Sequence, residues 1–268
     1  MIIDSHTHVG KSFLGNFSPE FLMEIIGDVD FAICSNLEGI DPQIGKDELE
    51  CNLEMLDVCK KFPKLKPLAV CEVERTENAD NIRRLLSEHP EFIGLKIHPE
   101  ISKLPADSEK YDDYLKAARE FKKPCLYHSG HIKSRFSSPA LIYKKAKEFP
   151  DVPIILGHLS TGPKHSHEAA IDIMVESIEQ ETATLYVDTS WVDLEDIQLL
   201  VEKLQNTKRG DFTHRIMWAS DAPVGDFNQR PDSYAFNLKQ FQESFEDKTL
   251  LNNLLYQNSL KLFNTYSV

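Results

Sequence analysis

The sequence predicts one (β/α)8 barrel spanning residues 1–268. Three observations predict it: apolar runs of strand length recur eight times, amphipathic stretches separate them, and no linker or low-complexity segment divides the chain. Strands alternating with helices give a parallel sheet with crossover helices, and eight such units close a barrel. A doubly wound open sheet is the competing architecture. It would carry a glycine-rich phosphate loop after the first strand, and none is present there.

The first strand lies within Met1-Ile-Ile-Asp-Ser-His-Thr-His-Val-Gly10, where Ile2 and Ile3 suit a buried strand. His6 and His8 follow at spacing two, so in extended chain they point to one face near the strand end. Residues 10–16 read as a loop. Ser18-Pro19-Glu20 starts a helix, with Ser as N-cap, Pro at N1, and Phe21, Leu22, Ile25 and Ile26 as its apolar face. Residues 30–34 form strand two, residues 37–47 a loop, and residues 48–62 a helix with Leu49, Leu53, Leu56 and Cys59 inward.

Strand three covers 66–71 and runs on into Glu72-Val73-Glu74. A helix over 78–88 stops at His89-Pro90, because the residue before proline avoids the helical region. Strand four (92–97) ends at His98-Pro99, and a helix covers 111–122. Strand five (124–128) closes at Ser129-Gly130, and Ser138-Pro139 opens a helix to about Phe149. Strand six is 152–158, with a helix at 168–181; strand seven is 184–190, with a helix at 194–205. Strand eight is 215–221, and helices at 233–245 and 250–263 close the chain.

Composition narrows the function. A hydrophobic fraction of 41% and a charged fraction of 27% are those of a soluble globular protein. The net charge of −13 argues against nucleic-acid and anionic-membrane partners, since phosphates would be repelled. It leaves a small-molecule substrate open, because one metal ion and a few local cations outweigh the global field. No apolar run approaches about 20 residues, and no basic-then-apolar leader opens the sequence. Cys34, Cys51, Cys59, Cys71 and Cys125 are scattered, odd in number and without a Cys-x-x-Cys pair. They read as reduced, mostly buried thiols of a cytoplasmic protein. A homodimer is the default expectation for assembly.

In a barrel of this kind, chemistry gathers at the C-terminal ends of the strands. Those ends carry His6 and His8, then Lys96 and His98, His128, His158, Asp188 with Ser190, and Asp221. One histidine at a strand end is ordinary. Several at equivalent ends make a nitrogen- and oxygen-rich cluster suited to zinc or a similar divalent ion. Asp4 lies one pleat back from His6 and is expected on the same face, either orienting ligands or serving as a structural hydrogen bonder. Asn36, Glu72, His98, His131, Arg135, His165, His167, Ser190 and Trp191 fall on segments expected to overhang the site. His131 and Arg135 suit an anionic group.

Ile3-Asp-Ser-His-Thr-His8, Gly94-Leu-Lys-Ile-His-Pro99, Tyr127-His-Ser-Gly130, Leu156-Gly-His158, Tyr186-Val-Asp-Thr-Ser190 and Ser220-Asp-Ala-Pro223, with Asn258-Ser-Leu-Lys-Leu-Phe263 at the end, resemble the amidohydrolase superfamily. The match is closest to its amidohydrolase-2 branch, which includes aminocarboxymuconate semialdehyde decarboxylase and metal-dependent hydrolases. The resemblance implies a distorted TIM barrel in which His6, His8, His128 and Asp221 hold the metal. It implies Zn2+, with Mn2+ or Fe2+ as other candidates, and one ion per chain rather than two. Asp221 would bind through one oxygen and use the other to hold and deprotonate water. His158 would polarise the substrate, act as acid or base, or bind a second ion. Lys96 matches a lysine that is carbamylated in binuclear relatives; otherwise it would anchor a carboxylate. His98, His131, Arg135, Ser190 and Trp191 are the candidate substrate contacts.

The expected activity is hydrolysis of a small-molecule amide, ester or lactone by metal-activated water with an aspartate base. A metal-dependent, non-oxidative decarboxylase of a small carboxylated substrate is the alternative. A barrel whose metal is only structural is weaker, because structural zinc sites are usually closed by four tight ligands and not set at a barrel mouth.

Overall fold

The computed structural model of this chain describes residues 1–13, 15–41, 43–73 and 79–264. Its strands are β1 (Ile3–Ser12), β2 (Gly15–Phe17), β3 (Phe31–Asn36), β4 (Leu65–Cys71), β5 (Gly94–Ile97), β6 (Cys125–His128), β7 (Ile154–Gly157), β8 (Leu185–Asp188) and β9 (Ile216–Met217). They form one sheet in the order β2-β1-β3-β4-β5-β6-β7-β8-β9, parallel throughout except for the β1–β2 hairpin. The ring closes beyond β9, where residues 218–222 run beside β1. Ser5 N donates to Trp218 O at 3.2 Å, Asp221 N to His6 O at 2.8 Å and His8 N to Ala222 O at 2.8 Å. Thr7 and Ala222 form a parallel bridge. The fold is the expected (β/α)8 barrel, distorted at this seam.

The crossover helices are α1 (Pro19–Ile26), α2 (Glu48–Lys61), α3 (Asp80–Glu88), α4 (Pro99–Ser102), α5 (Asp112–Glu120), α6 (Pro139–Glu148), α7 (Lys164–Glu179) and α8 (Leu194–Gln205). Then come α9 (Asp226–Gln229), α10 (Asp232–Glu243), α11 (Lys248–Asn252) and α12 (Asn258–Asn264). Ser18 caps α1 as its sequence predicts, its side chain accepting from Phe21 N at 3.1 Å with Pro19 in the first turn.

Strand alternation sorts the residues. Cys34, Ala69, Cys71, Leu95, Ile97, Cys125, Tyr127, Ile154, Leu156, Leu185 and Val187 face the helices in the main core. Their neighbours Ile3, Ile33, Leu68, Leu126, Ile155 and Met217 meet inside the barrel, where Leu262 and Phe263 of α12 plug the N-terminal end. Two residues further along each strand the same inward face carries Ser35, Val70, His128, Gly157 and Asp188, with Lys96 inward on β5. An apolar floor thus supports a polar upper layer.

Several boundaries differ from expectation. The segment read as a loop over 10–16 is largely strand, since β1 continues to Ser12 and folds back as β2. The terminal helix over 250–263 contains a π-helical segment, Asn253–Gln257. α7 begins at Lys164, earlier than residue 168. Strand eight is regular only over Ile216–Met217; residues 218–222 instead make backbone bonds to β1, and Asp221 lies at φ +68. Asn78, expected to begin a helix, and Glu74 lie outside the described residues. Among the described residues, no helix is long and apolar enough to cross a membrane.

Candidate metal centre

β1 contains a register shift. Asp4 pairs with Ala32 but Thr7 with Cys34, so three steps on β1 match two on β3. One inserted residue changes the phase of the pleat. Ile3 stays inward at the floor, and His6 and His8 come inward above it. Asp4 consequently leaves the expected face: its carboxylate accepts from His6 N, Ser220 N, Ser220 Oγ and Tyr234 OH. Burial lifts this carboxyl to about 7 against those hydrogen bonds. Asp4 therefore fastens the β1 seam to the turn that delivers Asp221.

The ring nitrogens of His6 and His8 are set by partners on other strands. His6 Nδ1 lies 2.9 Å from Asp188 Oδ2. An ionised carboxylate only accepts, so Nδ1 carries the proton and Nε2 offers its lone pair inward. His8 Nδ1 meets Ser35 Oγ at 2.8 Å. His8 Nε2 and His6 Nε2 lie 2.9 and 3.4 Å from one oxygen, Asp221 Oδ1. Among the described residues, no donor addresses that buried oxygen with hydrogen-bonding geometry. Lys96 Nζ lies 2.6 Å from His6 Nε2. A carboxylate oxygen and an imidazole lone pair facing one point repel unless a cation sits between them. The donor set suits a divalent ion: one carboxylate and two imidazoles, with room for more.

Electrostatics agree with that use. Burial lowers His6 and His8 below the usual histidine range, opposed by Asp188 and Asp221. Burial, reinforced by neighbouring positive groups, drives His98 and His128 well below it. His158 falls to about 4, mainly through burial. All five imidazoles are neutral at pH 7, the form that binds metal. Burial would raise Asp188 and Asp221, but the histidines around them outweigh it and hold both below the carboxylate range. Burial brings the Lys96 ammonium down to about 8, with Asp221 and Asp188 opposing.

His158 is oriented by a relay. Ser190 Oγ donates to Asp188 Oδ1, leaving its lone pairs to accept from His158 Nδ1 at 2.8 Å. The lone pair of His158 then rests on Nε2. Asp188 also accepts from His158 N at 3.0 Å and Ser190 N at 3.1 Å. His158 adopts φ +67, Trp191 φ +62 and Asp221 φ +68, left-handed conformations that cost about 1–3 kcal/mol each and persist where surrounding contacts enforce them.

A cavity of about 280 Å³ is lined by His8, Leu37, Lys96, His98, His128, His158, Thr161, Trp191, Asp221 and Val224. His128 stands on its wall, stacked on His98 with ring centroids 4.0 Å apart, 5.0 Å from the His158 ring. Its nitrogens are not within the tight groups formed by His6, His8 and Asp221 or by His6, His158 and Asp188. His131 and Arg135 line an adjoining outer cavity of about 630 Å³, with Glu100, Lys103 and Lys133. His128 and Thr161 border both spaces. Glu100 accepts from Ser134 and Ser137 hydroxyls, and as one carboxylate against Lys103, Lys133 and Arg135 it leaves this mouth net basic.

Some expected site residues serve other ends. Asn36 caps the turn after β3, accepting from Glu38 N. His167 is buried against Asp196 at 2.6 Å, between α7 and α8. His165 contacts the His131 ring. Asp221 Oδ2, expected to hold water, accepts from Trp191 Nε1 at 2.8 Å. Sequence reasoning placed Asp188 at a strand end without a role, and missed Ser35, Lys103 and Lys133. Only inward alternation on β3 could have flagged Ser35.

An amidohydrolase family model matches residues 39–265. No curated protein matches the sequence. Among solved structures, the chain is similar to one described as a probable 2-pyrone-4,6-dicarboxylic acid hydrolase of Acinetobacter baumannii with citric acid bound: 15% identity, 98% of this chain and 99% of that one, TM-score 0.68. It is similar to 5-carboxyvanillate decarboxylase of Novosphingobium aromaticivorans, complexed with manganese and 4-hydroxy-3-methoxy-5-nitrobenzoic acid: 13% identity, 98% and 96% of the two chains, TM-score 0.66. It is also similar to 4-oxalomesaconate hydratase of Rhodopseudomonas palustris: 14% identity, 98% and 96%, TM-score 0.65. At these identities the likeness carries the fold.

Proposed function

Because this chain belongs to the amidohydrolase family, we propose that it is a metal-dependent enzyme hydrolysing an amide, ester or lactone bond of a small anionic molecule. The observation that carries this reading is the convergence of His6 Nε2, His8 Nε2 and Asp221 Oδ1 beside the inner cavity. His6, His8 and Asp221 would hold one divalent ion, zinc or manganese, with His128 and His158 as the nearest further imidazoles. When bound, such an ion supplies Lewis acidity, polarising a carbonyl and letting water ionise near neutral pH.

The chain's own residues do the rest. Asp188 and Ser35 fix the rings of His6 and His8. Lys103, Lys133 and Arg135 draw an anion into the outer cavity, past His128, despite the net charge of −13. His158 Nε2 and Asp221, which both border the inner cavity, would take a proton and return it to the leaving group. Lys96 would neutralise charge on the cavity floor, either at a substrate carboxylate or, if carbamylated, at a second ion. His98, Ser190 and Trp191 act around these groups: His98 stacks on His128, Ser190 orients His158, and Trp191 holds Asp221.

A second reading, non-oxidative decarboxylation, is favoured by the same cationic lining. Lys96 and the basic mouth would hold a carboxylated substrate while a proton replaces carbon dioxide. Cytoplasmic location and a homodimer accord with either reading. The test is a panel of small carboxylated lactones, esters, amides and aromatic acids offered to the metal-reconstituted chain. Release of acid supports hydrolysis, and release of carbon dioxide supports the second reading. A positioned base contributes about 10²–10⁴-fold, so Asp221→Asn should lose most turnover. Full turnover in Asp221→Asn with metal retained would remove it from the chemistry.

A further inference from the structure

Trp191 has three features that belong together. The residue is half exposed, at 50%, yet its Nε1–H donates to Oδ2 of the buried Asp221 at 2.8 Å. Its backbone is left-handed, with φ +62. A Cβ on Gly225 would stand 2.0 Å from Trp191 Cη2 and 2.3 Å from Cζ2, so the facing turn lacks a side chain where the indole lies. The indole also borders two spaces: the inner cavity, and another of about 290 Å³ lined by Trp218, Phe227, Tyr234 and Phe241.

We infer that Trp191 is a positioning residue for the cation site, its indole N–H locking the Asp221 carboxylate so that Oδ1 is turned to His6 and His8. This rests on the metal-dependent reading above. A carboxylate's terminal torsion is broad and roughly two-fold, so a single fixed donor on one oxygen decides which way the other points. Backbone contacts hold Asp221 in place through its N–H to His6 O, but they do not set that torsion. Gly225 is the complementary half of the device, since it leaves room for the ring.

The test uses the full chain, stripped of metal and titrated calorimetrically with Mn2+. Partners that orient metal ligands typically contribute about 10–100-fold in affinity. Trp191→Phe should weaken Mn2+ binding by about that factor, and Gly225→Ala should do the same, since its Cβ meets the indole and φ +72 strains any side chain there. A third variant needs no change at the site. Trp218→Phe leaves Trp191 as the only tryptophan, and its emission should shift saturably with one equivalent of diamagnetic Zn2+. Wild-type affinity in Trp191→Phe, or unchanged Trp191 emission while Zn2+ binds, overturns the inference and leaves the metal-dependent reading standing. A wild-type chain that takes up neither ion overturns both.

Discussion

Replacing Asp188 with Asn should change which nitrogen of His6 carries its proton. Asp188 Oδ1 accepts from His158 N, Ser190 N and Ser190 Oγ, whereas among the described residues Oδ2 bonds His6 Nδ1 alone. An Asn side chain has one oxygen and one NH2 group. Its oxygen must take the position with three donors, since the amide group there would leave all three unmet. The NH2 then faces His6 Nδ1 and donates to it, so the proton moves to Nε2. The lone pair that faced Asp221 and Lys96 is lost. A changed orienting partner costs about 10–100-fold in metal affinity, which is roughly 1.4–2.7 kcal/mol. Losing the charge on a buried hydrogen bond removes about 1.5–3 kcal/mol of folding stability. With an unfolding entropy near 2.1 cal/mol/K per residue, each kcal/mol over 268 residues is roughly 2 °C, so Tm should fall by about 3–6 °C. Calorimetric titration with zinc and a melting curve of the stripped protein read the two effects separately. Wild-type zinc affinity in Asp188→Asn would refute the tautomer argument.

Other perturbations follow from the same geometry. Gly157→Ala places a Cβ 2.8 Å from Tyr127 O and 3.4 Å from His6 Cε1, so overpacking of about 1–3 kcal/mol should lower Tm by roughly 2–5 °C and weaken metal uptake in the same titration. Metal at about 100 times its Kd should raise stability by about 2.7 kcal/mol, and a chelator should reverse that without unfolding the chain, as seen by circular dichroism. Lys145, fully buried, bonds Asp112 and Glu148, and these outweigh burial to raise its ammonium above 10.5. A raised lysine stabilises fully below its unfolded value, so the denaturation difference between wild type and Lys145→Met should stay flat from about pH 6 to 9 and shrink only above about pH 10.5. Arg135→Ala should raise KM for an anionic substrate several-fold at low salt and less at high salt, leaving kcat unchanged.

Much of this architecture was legible because strand alternation is strict. Lys96, His128 and Asp188 face the interior since their neighbours Ile97, Tyr127 and Val187 face the helices. The β1 bulge was not legible: nothing in Asp-Ser-His-Thr-His announces an inserted residue, yet it moves Asp4 off the site face. Nor was the short β9, whose pairing is replaced by backbone bonds from residues 218–222 to β1. Partners such as Asp188 and His6 stand 182 positions apart, so the sequence could place each at a strand end without joining them. Trp191 was expected at the substrate, because an exposed loop indole gives no hint of a carboxylate within reach of its N–H.

Metal content decides whether His6, His8 and Asp221 form a cation site. Protein purified without chelators and measured by elemental analysis should carry about one divalent ion per chain. His6→Ala with His8→Ala should carry none while keeping its circular dichroism, since the barrel core does not depend on the ion. A wild-type chain that holds no metal, and takes up none on reconstitution with zinc or manganese, would contradict the account.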